Sequence, residues 1–229
     1  MKKVSFTLLC LISVINFSCN SDTKQESKYD KKAVLTKSII TKAASVAPPK
    51  KIVIQPYGDF PSELIRKAEE GITNMYKLNV VVLKSVSLPE MAYFKPRNRY
   101  KADSLLVDLE GKQVPLTFKI IGLTEKDIST KSEPYEDWGI FGLGSISGKT
   151  CVVSTFRLKY GNASDELLTS RLIKVINHEI GHTLGLQHCP HLNCLMEDAN
   201  GSIKPVDNES GDLCADCAKQ VKEYLVKYL

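Results

Sequence analysis
Three features of the chain predict an α/β fold, a mixed twisted sheet with helices packed against it. Between Lys51 and Thr124, short β-branched runs alternate with stretches of helical periodicity, giving a β-α-β-α-β series. A final long segment, 164–186, carries helix-entry and helix-exit signals around a cluster of histidines. At 229 residues, 43% of them hydrophobic, the chain can fill one well-packed domain.

The elements follow in order. KIVIQP (51–56) is a strand that Pro56 stops, and PSELIRKAEEGITNMYK (61–77) is a helix with Pro61 in its first turn. Leu64, Ile65, Ala68, Ile72 and Met75 share one face of it. NVVVLKSV (79–86) is a second strand. NRYKADSLLVDLEG (98–111) reads as a helix ending at Gly111, with Leu105, Leu106 and Leu109 inward. PLTFKIIGLT (115–124) is a third strand. In YEDWGIFGLGSISGKTCVVSTFRLKYG (135–161), apolar residues alternate with glycine and serine. The spacing of Gly139, Gly142, Gly144 and Gly148 fits no phosphate-binding loop; it suits two short strands with bends, one at a sheet edge. The segment 164–186 has Ser164 as its cap, Asp165 and Glu166 at the positive N-terminal end, and Gly185 at the exit.

Ahead of this domain the composition differs. Lys2 and Lys3 precede the apolar run VSFTLLCLISVINF, too short to span a bilayer, and Ser18 and Cys19 follow. The arrangement resembles a bacterial lipoprotein signal, in which the cysteine is acylated; Asn16 stands where an aliphatic residue is usual. The expected organisation is a signal at 1–19, a lysine-, serine- and threonine-rich tether at 20–50 ending in Pro48 and Pro49, and a folded domain at 51–229. The protein is then exported and lipid-anchored to a membrane of the bacterial envelope; the alternative is an ordinary cleaved signal and a soluble periplasmic or secreted protein. A net charge of +5, about +3 without the signal, is spread along the chain and gives nucleic-acid binding no support.

All four histidines lie in HEIGHTLGLQHCPH. His178 and His182 are one helical turn apart, so both imidazoles project from one face and can grip one ion. Glu179 is rotated roughly 100° from His178. It sits beside the ion, placed to take a proton from a water. Gly185 lets the chain leave the helix so that His188 returns as a third ligand. Three histidines leave a fourth position open, the condition for catalytic zinc. The chemistry implied is hydrolysis of a peptide or amide.

Cys189, Cys194, Cys214 and Cys217 form two closely spaced pairs, which suit a second, tetrahedral zinc; in an exported protein two disulfides are the competing reading. His191, between the first pair, is a loop residue or a donor to the thiolates. Cys151 is a small buried hydrophobe, and Arg157 is a structural charge.

HEIGHTLGLQH matches the metzincin signature, and the sequel CPHLNCLM, with Cys214-Ala215-Asp216-Cys217 further on, resembles the archaemetzincin family. The resemblance implies a metzincin-like zincin domain with a long active-site helix and a C-terminal Cys-rich, zinc-bound segment. It implies a catalytic zinc on His178, His182 and His188, with Glu179 as general base. Met196 is then the Met-turn methionine below the histidines, and Cys189, Cys194, Cys214 and Cys217 hold a structural zinc. Two zinc ions per chain are expected. The partner implied is a peptide or protein substrate, bound as an extended strand along GIFGLGSI. The competing class is a non-catalytic peptide-binding module on the same scaffold.

Overall fold
The computed structural model describes residues 50–229. The expectations for the signal, Cys19 and the tether up to residue 49 fall outside the described residues. The elements are β1 (Lys51–Pro56), α1 (Ser62–Tyr76), β2 (Asn79–Val82), β3 (Tyr93–Phe94), β4 (Arg99–Lys101), α2 (Ala102–Glu110), β5 (Thr117–Thr124) and β6 (Ile128–Ser132). They continue with β7 (Tyr135–Ile140), β8 (Gly142–Gly144), β9 (Thr150–Ser154), α3 (Asp165–Thr183), α4 (Ile203–Asn208) and α5 (Ala215–Tyr228).

A five-stranded sheet has the order β2-β1-β5-β9-β8. Its first four strands are parallel, and β8 closes the edge antiparallel to β9. Because helices cover both faces, the parallel strands are apolar at consecutive positions rather than at alternate ones. In β1, Ile52 and Ile54 point into one core and Val53 into the other; Ile121 and Ile120 divide the same way in β5, as do Val153 and Val152 in β9. The larger core takes Ala68 and Ile72 from α1 and Leu172, Ile176 and Ile180 from α3. The second takes Leu105 and Leu109 from α2. A four-stranded sheet, β3-β4-β6-β7, lies beside this α2 layer.

Helix α3 forms where its caps predict. The Ser164 hydroxyl accepts from the Leu167 N–H at 3.2 Å, and Gly185 ends the helix at φ +93°. Arg171, 4% exposed, anchors its middle. It donates to both carboxylate oxygens of Asp207 on α4 and to the Leu158 and Tyr160 carbonyls. A guanidinium engaged on four acceptors fixes the rotation of the helix that carries the histidines.

Three expectations require correction. The helix expected at 98–111 starts only at Ala102, because Tyr100 pairs with Tyr93 and Ile128 and draws Arg99–Lys101 into β4. Leu105 and Leu109 are buried as expected, whereas Leu106 is only partly so. The 135–161 segment forms three strands rather than two, split between the two sheets. Strand β2 ends at Val82, leaving only a single bridge from Val86 to Tyr57.

Candidate active site
His178 and His182 project from one face of the last turns of α3, and the chain turns back after Gly185 to bring His188 to the same place. The three ring centroids stand 4.7–5.4 Å apart, and one nitrogen from each ring lies within 4.8 Å of the others. Their outward nitrogens are engaged: His178 Nδ1 donates to the Leu195 carbonyl at 2.7 Å and His182 Nδ1 to the Leu186 carbonyl at 2.8 Å. Since a carbonyl only accepts, both rings carry their proton on Nδ1 and present a bare Nε2. Asp198 Oδ2 stands 3.4 Å from His188 Nδ1 and biases that ring the same way. Burial, then repulsion from His182, lowers His178 to about 4, and burial lowers His182, so both are neutral ligands at ordinary pH. This donor set fits a tetrahedral zinc with one position open.

Glu179 lies beside the triad, 7% exposed, under strand β8. Burial pushes its carboxyl up to about 8, and a hydrogen bond from the Gly144 backbone opposes the rise. The glycines of β8 now have a reason. A Cβ on Gly142 would lie 2.6 Å from Glu179 Cγ, and one on Gly144 would lie 2.5 Å from the Glu179 carbonyl oxygen. Only glycines let the edge strand pass this close to the helix.

Met196 is fully buried below the histidines, its Sδ 2.6 Å from where a Cβ on Gly181 would be. The glycine inside HEIGH is therefore the seat of Met196, a packing role with no polar partner. The peptide of Leu195 joins this floor to the next loop: its N–H donates to Asp212 at 2.8 Å while its carbonyl orients His178.

The four cysteines converge beyond that loop. Their sulfurs lie within 4.8 Å of one another, and Cys189 Sγ is 3.7 Å from Cys214 Sγ. Four thiolates at about 2.3 Å from one zinc would stand roughly 3.8 Å apart, so the set fits a tetrahedral ion. Cys214 caps α5, where the Cys217 backbone N–H holds its thiol down to about 6, ready to ligate as thiolate. His191 Nδ1 lies 3.3 Å from Cys189 Sγ and 3.6 Å from Cys214 Sγ. Cys151 is fully buried in β9.

An elongated cavity of about 500 Å³ runs over the triad between β8 and the 195–201 loop, then one helical turn further along α3 to Lys174 and Val175. Trp138 on β7 stacks on Tyr135 at its rim and packs against Gly201 across it. The rim is held by an ion network that the sequence did not disclose. Arg157 grips both oxygens of Asp127 at 2.7 and 3.0 Å, and Arg99 reaches Asp127 and Asp137, which also holds Lys101. Gly139 lies so close under the Arg157 guanidinium that a Cβ there would sit 2.0 Å from Nη2. Asp198 and Lys119 were equally silent in the sequence. Lys119 is 2% exposed and donates to Gly148, Thr183 and the Tyr224 hydroxyl, tying β5 to the end of α3 and to α5.

Residues 39–223 match Peptidase family M54. The archaemetzincin of Natronomonas pharaonis is 31% identical over 73% of this chain and 97% of its own length, and that of Methanopyrus kandleri is 33% identical over 72% and 89%. The crystal structure of the Methanopyrus kandleri archaemetzincin superposes with a TM-score of 0.68 at 32% identity, covering 80% of this chain and 99% of the other. An Archaeoglobus fulgidus archaemetzincin crystallised with malonate superposes at 0.63, 30% identical, over 74% of this chain and 99% of the other. The histidine cluster on α3 thus stands in a fold and a sequence shared with archaemetzincins, and this chain belongs to Peptidase family M54, the zinc metallopeptidases of that name.

Proposed function
We propose that the protein hydrolyses peptide bonds with Glu179 as its general base and with two zinc ions, one reactive and one structural. The observation that carries the first half is Glu179, buried beside three convergent histidines and beneath an edge strand. His178, His182 and His188 would hold the reactive ion, which when bound supplies Lewis acidity toward a carbonyl oxygen and a water. Glu179 takes a proton from the attacking water on its carboxylate and returns it to the departing amine. The free edge of β8 pairs with an extended substrate backbone, giving affinity with little sequence preference. Met196 and the Leu195 carbonyl keep the histidines in place.

Cys189, Cys194, Cys214 and Cys217 would hold the structural ion and brace the loop between His188 and Met196. Cys189 begins immediately after the third histidine, and its N–H donates to the Met196 carbonyl at 2.7 Å. Native mass spectrometry should find two zinc ions per wild-type chain and one in Cys214→Ser; one ion in both, with no titratable thiol among the four, would favour disulfides instead.

Digestion of a peptide library by the full-length chain tests the enzymatic reading. Cleavage should vanish on chelation, return with zinc and be lost in Glu179→Gln. If the zinc-loaded wild type cleaves nothing, the non-catalytic binding module is the better description. The lipoprotein reading rests on the sequence of residues 1–19 and predicts that Cys19→Ser abolishes fatty-acid labelling and membrane retention; labelling that persists rules it out.

A further inference from the structure
Past the histidines the cavity ends between Val175, Pro205, Val206 and Trp138, with two charged side chains at its far end, Lys174 and Glu209. The two differ in how they are partnered. Lys174 Nζ donates to the carbonyls of Val206, Asp207 and Glu209 at 2.9, 3.4 and 2.6 Å, which engages all three of its protons. Glu209, 7% exposed, accepts from the Gly211 N–H through Oε2. Among the described residues its Oε1 accepts no hydrogen bond: its ion-pair partner, Lys174 Nζ, stands 3.8 Å away, beyond hydrogen-bond range. Glu209 nonetheless lines the cavity at this end.

An acceptor held bare at the end of an apolar channel is a recognition element, because a ligand without a donor leaves it dry and unpaired. We infer that Glu209 Oε1 selects the substrate side chain that enters this end of the cleft, favouring an apolar stem tipped by an uncharged N–H or O–H donor, as in glutamine. A carboxylate there meets Glu209 itself. An ammonium or guanidinium on Oε1 is attracted by the carboxylate, but it must shed its water and come close to the Lys174 ammonium, two costs that an uncharged donor avoids. A purely aliphatic side chain fills the walls and wastes the acceptor. The inference rests on the reading of this cleft as the peptide site and adds the side-chain class it prefers.

Trp138 is the only tryptophan of the chain and lines the same cavity, so its fluorescence reports occupancy without turnover. Zinc-loaded full-length Glu179→Gln is titrated with short alanine-based peptides in which glutamine, leucine, glutamate or lysine is placed at each position in turn. At one position glutamine should bind tighter than leucine by roughly ten- to a hundredfold, with glutamate and lysine weakest. Glu209→Gln, in the same background, can keep the Gly211 contact through its amide oxygen and turn its NH₂ toward the ligand. That exchange of acceptor for donor should move the preference from the glutamine to the glutamate peptide, a reversal that a merely structural Glu209 would not produce. Equal binding of the glutamine and leucine peptides, lysine as the favoured residue, or a ranking unchanged by Glu209→Gln overturns the assignment of Glu209 while leaving the peptide cleft intact. No fluorescence response to any peptide removes the peptide-cleft reading itself, and this inference with it.

Discussion

Gly144→Ala tests how tightly the edge strand is fitted to the catalytic helix. The added Cβ would lie 2.5 Å from the Glu179 carbonyl oxygen, 2.9 Å from His182 Cβ and 3.2 Å from Glu179 Oε2. The first two neighbours belong to the backbone and root of α3, which Arg171 and the larger core hold in place. The strand must therefore yield, by roughly 0.9 Å, to bring the closest pair to ordinary contact at 3.4 Å. Overpacking of this kind costs about 1–3 kcal/mol in stability. A shift near 1 Å also withdraws the Gly144 N–H from the Glu179 carboxylate and misplaces a substrate paired with β8, enough for a loss of about 10²-fold in rate. Steady-state cleavage of one peptide by full-length wild type and variant, at equal zinc content, reads the effect on kcat and KM. Gly111→Ala is the control, since its Cβ would meet only the Asp108 carbonyl at 3.5 Å. If Gly144→Ala cleaves within twofold of wild type while folded to the same melting point, the close approach of β8 to α3 does not govern the site.

Other substitutions test other parts of the structure. Burial lowers Lys119 to about 8 in the fold, against 10.5 for the free side chain. Between those values the unfolded chain binds a proton that the folded one has lost, so stability rises with pH there; urea midpoints from pH 7.5 to 10.5 should show this slope in wild type and a flatter one in Lys119→Met. Arg157→Ala leaves the buried Asp127 carboxylate with Arg99 alone and should cost about 1–2 kcal/mol, seen as a lower urea midpoint at constant m-value. Asp198→Asn weakens the acceptor behind His188, so zinc should be lost to a competing chelator at about tenfold lower chelator concentration, with no loss from the cysteine site.

The histidine cluster was legible because helical spacing is a local rule: residues four apart share a face whatever surrounds them. The glycine after the helix carried equally local information, and so did the four cysteines, whose small set of stable partners narrows their reading to metal or disulfide. The β8 glycines were recognised as unusual, and an edge strand was expected there, but their cause is an approach between residues 144 and 179 that no local pattern encodes. The same holds for Arg99–Lys101. Their helix-like context lost to pairing with Tyr93 and Ile128, which are respectively local and distant in the chain. Strand β6 went unread because Ile128 is its only apolar residue, and helix α5 because most of its surface is solvated; in α5, Cys217 and Val221 alone are buried. Lys119 gave no signal at all. A lysine inside a strand reads as an exposed edge, and its three acceptors come from the β8–β9 turn, α3 and α5.

The most direct measurement of the central claim is a paired one on full-length Glu179→Gln: bound zinc by native mass spectrometry, and peptide cleavage by the same preparation. Because Glu179 lies beside the triad while three histidine nitrogens converge within 4.8 Å, the variant should hold as many zinc ions as wild type and cleave at least 10²-fold more slowly. Loss of a zinc ion would make Glu179 part of the cage, and unimpaired cleavage with the zinc in place would remove it from the chemistry.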